Sequence, residues 1–335
     1  MPEGPSVKKF QLLCSPFVGQ TVIKVGGSTK QMTPNDVKTL VLSDAQVHGK
    51  KLFLAFGPPQ KGTTGSRIEH SESPAGQGLT DSGSSSFLMR QEGKVADTHD
   101  LKDHLQEEHD VDWPSLAEDN ADGPRKWLRF QFGLYGSIRA NEFARANKAN
   151  KRGDWRDPVP RFELLILNFE GGGFLVFYNC RIQPCSSPSN EPSTDILSPE
   201  FDRGKALEAL CKPTPVCYTL LNQTYFSGLG NRIKNEALYL ARIHPLSLGS
   251  QLPSCDLESL LDSAVQFSLE WLQSKLQKKS VQVHIYMRDK CPAGHEVKKE
   301  ALGPPDGLKR LTWWCPQCQP QVSQGEMDMP STESN

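Results

Sequence analysis

Four metal-ligand side chains near the C-terminus constrain the fold of this chain most: Cys291, His295, Cys315 and Cys318, a C-x3-H…C-x2-C pattern. Thiolates and an imidazole at this spacing suit tetrahedral Zn(II). Four protein ligands fill that shell and leave no position for water or substrate, so one structural Zn(II) is expected and no organic cofactor. Chance placement of reduced cysteines is the competing reading. Pro316 and Gln317 make a tight knuckle between the last two ligands. The flanks VHIYMRDK and LKRLTWW around a turn at GPPDG predict a two-stranded hairpin. Such a module is too short for its own core, so metal binding supplies most of its folding energy. Lys309, Arg310, Trp313 and Trp314 put basic and aromatic groups on it. These suit phosphate contact or insertion near bases; one Trp is expected to pack inward and the other to face a ligand.

The 335 residues are enough for two or three domains. The start, MPEGPSVKKFQLLCSPF, has no secretory h-region, and no run of about 18 apolar residues predicts a membrane span. Nine cysteines, three of them clustered in the finger, fit a reducing compartment better than a disulfide scaffold. The net charge of -1 hides an uneven distribution. Residues 57–124 hold 14 acidic and 5 basic residues, leaving 25 acidic and 33 basic elsewhere. The tail 319–335 adds three acids and no base, so the foldable parts carry about +11. That balance permits a phosphate-backbone ligand, although charge runs are more often solvated surface.

A multidomain α+β chain is predicted. Residues 1–56 and 125–182 form an N-terminal β-sandwich-like domain with a flanking helix at 6–14. Its strands are expected at Thr21–Val25, Lys38–Leu42 and Lys50–Phe56, through WLRFQFGLYGSIRA, and in a hairpin turned at Gly171-Gly172-Gly173. Residues 57–124 are Gly/Ser/Pro-rich and acidic, an insertion expected to be disordered. His99, His104 and His109 within it read as solvent-facing, with a weak metal site the alternative. Residues 183–199 read as a Pro/Ser-rich linker, 200–280 as a helical domain, 281–320 as the finger and 321–335 as a flexible tail. Helices are expected at Asp202–Leu210, from Tyr218, at Asn231–Ile243 and at Leu257–Leu276; VQVHIYMR reads as strand.

Two further stretches carry chemistry. Removal of Met1 would leave Pro2 with a free secondary amine, able to add to an aldehyde and form an iminium. An α-amine titrates near ~8, against ~10.4 for lysine. Glu3 beside it is a candidate acid/base, yet many chains begin Met-Pro. Lys50, after the turn His48-Gly49, reads alone as a solvated strand-edge lysine. In Gln223…Gly228-Leu229-Gly230-Asn231 a helix ends at glycines and another opens. Glycines allow close approach, free N–H groups at the new helix start bind anions, and Asn231 adds an amide. Alone, this also fits an ordinary helical hairpin.

Together, Pro2-Glu3-Gly4-Pro5, Gly49-Lys50, Leu134-Tyr135-Gly136, Gly228-Leu229-Gly230-Asn231 and Arg310-Leu311-Thr312-Trp313-Trp314-Cys315-Pro316-Gln317-Cys318-Gln319 resemble the formamidopyrimidine-DNA glycosylase / endonuclease VIII family. The resemblance covers most of the chain outside 57–124 and the last residues. It implies a helix–two-turn–helix domain, a zinc-finger hairpin, and a bifunctional DNA glycosylase and abasic-site lyase of base excision repair. It implies Pro2 as Schiff-base nucleophile and Glu3 as the group handling protons at the sugar. Lys50 is implied in β-elimination or phosphate holding, Asn231 and Arg310 at the DNA backbone, Arg310 also in δ-elimination, and Leu134 and Tyr135 in the gap left by the flipped base. Oxidised pyrimidines are the implied lesions, damaged DNA the partner, a monomer the state and the nucleus the location, with the basic loop 147–161 a candidate import segment.

Three departures qualify the resemblance. Ser6 stands where the family usually has Glu, and His295 where it has Cys. Asn179-Cys180-Arg181-Ile182-Gln183 replaces Asp-x-Arg-x-Phe-Gly. The last predicts poor discrimination of the opposite base and tolerance of single-stranded or bubble DNA. A non-catalytic zinc-containing damage-binding protein, or a scaffold using the acidic insertion to recruit repair proteins, are the alternative readings.

Overall fold

The structure, a computed structural model, describes residues 2–59, 125–144, 163–188 and 192–321, all within one compact unit. The acidic insertion from residue 60, its three histidines, the basic loop 147–161 and the tail from 322 lie outside the described residues. Among the described residues no helix is long and apolar enough to cross a membrane.

Helix α1 (Gly4–Cys14) starts two residues before the sequence pattern suggested, because Glu3 is its N-cap and Pro5 falls in the first turn. It buries Val7, Phe10 and Cys14, one stripe at helical spacing. Eight strands follow in the N-terminal part: β1 (Val22–Gly26), β2 (Val41–His48), β3 (Lys51–Gly57), β4 (Lys126–Gln131), β5 (Ser137–Ala140), β6 (Glu163–Phe169), β7 (Phe174–Tyr178) and β8 (Arg181–Cys185). They form two four-stranded antiparallel sheets, β1-β6-β7-β5 and β2-β3-β4-β8. The sheets meet through side chains such as Phe130 and Phe177, whose rings stack 4.7 Å apart. Phe10 of α1 packs on Phe132 at 4.8 Å.

The strand pattern differs from the sequence reading in places with clear causes. Lys38–Leu42 is not a strand at its start: Thr39 has φ 69° and its N–H donates to Val22 O, so the chain turns there before β2. β3 is buried on both faces rather than one. Leu52, Leu54 and Phe56 are core residues, while Phe53 and Ala55 join Trp127 and Cys185 in a second cluster. β8 runs into the expected linker as far as Cys185. Pro184, paired with Leu128, is tolerated because β8 is an edge strand and its missing N–H disrupts no ladder.

The helical part contains α2 (Arg203–Leu210), α3 (Val216–Thr219), α4 (Asn231–Leu240) and α5 (Ser254–Leu276). Asp202 caps α2 by accepting from Lys205 N at 3.0 Å. Leu229, Ile233, Ala237, Leu260, Leu261, Phe267 and Trp271 meet in its core. The finger hairpin is β9 (Lys298–Leu302) with β10 (Arg310–Trp314). VHIYMRDK is therefore not its first strand. The backbone N–H groups of His284, Ile285 and Tyr286 donate to the buried Glu236 carboxylate at 2.8–3.0 Å, so they are unavailable to a ladder.

Candidate functional site

Three glycines bring the separate motifs together. A Cβ on Gly228 (φ 94°) would lie 3.4 Å from the Cα atoms of both Gly4 and Gly49, a Cβ on Gly4 would lie 3.1 Å from Gly228 Cα, and Gly4 N donates to Gly228 O at 2.8 Å. Gly49 (φ 56°) leaves no room for a Cβ, which would overlap Ser227 Oγ and lie 2.7 Å from Gly228 N. The N-terminus, the turn before Lys50 and the helix–two-turn–helix thus converge only because none of the three carries a side chain. Asp195 reinforces the junction by accepting Gly49 N at 2.8 Å. Sequence reading missed Asp195, which sits in the Pro/Ser-rich stretch; its partner is 146 positions away and no local pattern marks it.

Pro2 is half-buried and leads directly into Glu3, which is 3 % exposed. The Glu3 carboxylate accepts from Arg232 N at 2.8 Å and Ile233 N at 3.3 Å, at the start of α4. The helix start does bind an anion, as the glycine-rich turn suggested, but the anion is the protein's own Glu3. Burial pushes the Glu3 pKa up, against the lowering effect of the Arg232 amide, the Lys50 charge and the Ile233 amide. Gly230 provides the space: a Cβ there would overlap the Glu3 carboxylate. Gly230→Ala is expected to displace Glu3 and lower turnover roughly 100-fold with little change in circular dichroism, measured by single-turnover cleavage.

Lys50 lies in the same electrostatic neighbourhood. Its pKa is lowered by burial, with Glu3 opposing and Arg310 adding to the shift. Asn231 Nδ2 donates to Leu311 O at 2.8 Å, next to Arg310 on β10. The amide proposed for a ligand therefore also holds the finger strand. Two more α4 side chains hold the same strand, and a third holds the segment before the hairpin. Lys234 Nζ donates to Thr312 Oγ1 at 2.8 Å, Asn235 Oδ1 accepts Trp313 N at 2.8 Å, and Glu236 takes the 284–286 amides. Sequence periodicity gave no hint that this polar row is buried.

Lys234 is 1 % exposed, and burial pushes its pKa down to about 8. The unfolded value is near ~10.4. Below about pH 8 the folded state carries the buried charge; stability therefore rises with pH from about 8 towards ~10.4. Lys234→Met is expected to remove that rise, seen by comparing melting temperatures of the two proteins across pH 7–10.

The four finger ligands converge. One ligand atom from each of Cys291, His295, Cys315 and Cys318 lies within 4.8 Å of the others, with Cys291 Sγ and Cys318 Sγ 3.9 Å apart and His295 Nδ1 3.4 Å from Cys318 Sγ. A tetrahedral ion with ~2.3 Å metal–sulfur bonds requires sulfurs just under ~4 Å apart, so this donor set fits a metal ion. Gln319 joins the knuckle to the helical part, accepting Cys315 N and donating to Ile243 O, each at 2.9 Å. Trp313 and Trp314 are both buried, the first against Ile285 and Tyr286 and the second in the helical core. Neither is free to face a ligand; the basic half of the hairpin expectation stands with Lys309, which is exposed, and Arg310, which is half-buried.

Leu134 and Tyr135 occupy an exposed turn between β4 and β5, with Leu134 57 % exposed. In the divergent segment, Cys180 and Ile182 are buried, and Gln183 Oε1 accepts from Arg129 Nη2 at 2.5 Å. Ser6 is buried in α1.

Two antiparallel sheets, a helix–two-turn–helix hairpin and a Cys3His finger make the fold found in DNA glycosylases. The structure aligns with Lactococcus lactis formamidopyrimidine-DNA glycosylase, non-covalently bound there to DNA containing an abasic site, at TM-score 0.59 and 17 % identity over 95 % of this chain and 100 % of that one. It aligns with a viral DNA glycosylase at TM-score 0.60 and 15 % identity, over 95 % and 99 %. The formamidopyrimidine-DNA glycosylase H2TH domain family matches residues 193–284. More similar in sequence are Endonuclease 8-like 2 of Mus musculus, 52 % identical over 347 residues covering 99 % of this chain and all of the relative, and Endonuclease 8-like 2 of Homo sapiens, 51 % identical over 342 residues, covering 97 % and 98 %. The chain belongs to the formamidopyrimidine-DNA glycosylase / endonuclease VIII family of DNA glycosylases.

Proposed function

We propose that this chain excises oxidised bases, chiefly pyrimidines, from DNA and nicks the strand at the resulting abasic site. The observation carrying the reading is the buried Glu3 carboxylate, held at the start of α4 one residue from Pro2 and beside the charges of Lys50 and Arg310. The target base must leave the stack before its sugar is accessible. The neutral Pro2 amine, freed by loss of Met1, attacks C1′ as the base departs, and Glu3 supports opening of the sugar ring. The C1′ iminium acidifies the C2′ protons; loss of one expels the 3′ phosphate, and a second elimination releases the 5′ phosphate. Lys50 and Arg310 stabilise the departing phosphates. Arg310 acts by charge rather than as a proton donor, since a guanidinium does not give up its proton in proteins. Asn231 contacts the backbone, and Leu134 and Tyr135 fill the vacated space in the duplex. The finger ion is Zn(II), with no role in bond breaking.

Borohydride trapping on abasic-site DNA tests the nucleophile. A covalent adduct is expected from the mature chain, and none from a form carrying extra residues before Pro2. An adduct that persists in the extended form shifts the chemistry to a lysine, with Lys50 first. No adduct from metal-loaded, DNA-binding protein favours a damage-binding module instead.

The segment Asn179–Gln183 supports a second element of the proposal. Ile182 is buried and Gln183 is engaged by Arg129, so neither offers a free side chain to the strand opposite the lesion. Excision from a bubble is expected to match or exceed excision from a duplex, with weak dependence on the opposite base. A strong duplex preference in paired single-turnover assays would sink this element. The proposed enzyme is a nuclear monomer whose acidic insertion recruits repair proteins; exclusion of a fluorescent fusion from nuclei would remove that location.

A further inference from the structure

A cavity of about 600 Å³ opens beside Lys50, Asn231 and Arg310. The rest of its wall comes from the helix–two-turn–helix segment, notably Lys212, Tyr218 and Tyr225, and from the finger turn at Gly303, Pro304 and Leu308. Its volume falls in the usual ~300–1,000 Å³ range of small-molecule sites. Lys50, Lys212 and Arg310 line it, and no carboxylate does among the described residues. The lining therefore suits an anion.

Lys212 and Tyr225 form a ready-made pair. The ammonium lies 3.0 Å from the Tyr225 hydroxyl and 4.7 Å from the ring centroid. Tyr218 and Tyr225 are half-buried and pack on the helical core, which limits their freedom before any ligand arrives. A DNA strand carries one phosphate every ~3.4 Å of helix axis. A strand held at Lys50, Asn231 and Arg310 must lead its next nucleotide onto adjoining surface, and this cavity is continuous with those three residues.

We infer that the cavity is a subsite for a nucleotide neighbouring the reacting one on the same strand, with Lys212 taking its phosphate and Tyr218 and Tyr225 flanking its sugar and base. This inference rests on the proposed glycosylase reading and deepens it. Aromatic rings beside a cation bind nucleotides without regard to base identity, since every base offers a π-face. The subsite therefore adds affinity along the strand and no sequence preference.

The test uses the full, metal-loaded chain and single strands bearing a tetrahydrofuran abasic analogue, lengthened one nucleotide at a time on either side. Fluorescence anisotropy is expected to show a step in affinity when the nucleotide that fills the cavity is added. Tyr225→Leu is expected to shrink that step roughly tenfold, as stacking on one aromatic ring predicts, and Tyr225→Phe to restore it. Lys212→Gln, a surface change that leaves folding intact, is expected to lower the slope of log affinity against log salt by about 0.7. Unchanged steps and slopes in both variants, with a normal borohydride adduct, overturn the subsite. Binding steps that respond to the variants while the wild-type chain forms no adduct leave the subsite standing and overturn the glycosylase reading. Competition by inorganic phosphate with no length-dependent step identifies an anion pocket off the DNA track and also overturns it.

Discussion

Glu3→Gln is expected to slow base excision by roughly 10²- to 10⁴-fold, the range of a lost general acid/base, while cleavage of preformed abasic DNA persists. Glutamine keeps the length of Glu3 and one oxygen for the nearer Arg232 amide at 2.8 Å, so the start of α4 stays capped there; the longer Ile233 contact, made to the other carboxylate oxygen at 3.3 Å, is lost. What it lacks is a proton that comes and goes. Burial already holds the Glu3 pKa above the ordinary carboxylate range, which favours the protonated form relative to an exposed glutamate. A damaged base needs a partner for the proton exchanged as the sugar opens; an abasic aldehyde is open already and needs only the amine. Single-turnover rates on base-containing and abasic strands separate the two steps. Equal loss on both, with weakened DNA binding, would mean that the substitution has disturbed α4 rather than removed a catalytic group. Stability moves the other way. A carboxyl with a raised folded pKa loses stabilisation as pH rises from its unfolded value, ~4.3, through the folded one. The variant lacks that loss, so its melting temperature relative to the parent should improve from acid to neutral pH.

The sequence revealed what depends on local spacing and hid what depends on distant partners. Cys291, His295, Cys315 and Cys318 could be recognised because a knuckle and a short hairpin leave thiolates few other uses. Gly228 and Gly230 could be recognised as a turn, but their deeper role could not: Gly228 meets Gly4 and Gly49, and Gly230 makes room for Glu3, across more than 170 positions of chain. Glu236 reads as a surface helix residue. It is buried because it satisfies three backbone N–H groups some fifty residues on, and it thereby prevents VHIYMR from becoming strand. Trp313 and Trp314 looked like one ligand-facing ring and one packed ring. Both are packed because β10 lies between two hydrophobic clusters, one under the finger and one in the helical core. The anion at α4 was foreseen as chemistry but not as Glu3, since nothing in an N-terminal pentapeptide says which helix it will meet.

Stripping the finger metal is expected to abolish strand cleavage almost completely while leaving most helical circular dichroism in place. β9 and β10 are too short to be stable as an isolated hairpin. Their anchorage comes from two sides. The ligand cluster closes one end, and structural zinc sites contribute about 10–16 kcal/mol of apparent binding energy in finger peptides. The α4 row of Asn231, Lys234 and Asn235 holds β10 from the other side through Leu311, Thr312 and Trp313. Those hydrogen bonds are each worth only about 0.5–1.5 kcal/mol net, so they orient the hairpin but cannot order it alone. Without the ion Arg310 loses its fixed place, and the phosphate stabilisation assigned to it goes with it. The α2–α5 core contains none of the four ligands and should persist. Trp313 and Trp314 report the change directly: both are buried, so their fluorescence should shift to the red as the finger opens. Cys315→Ser should show the same red shift and the same loss of cleavage without a chelator. Full cleavage from protein shown by elemental analysis to be metal-free would overturn the structural role given to the ion.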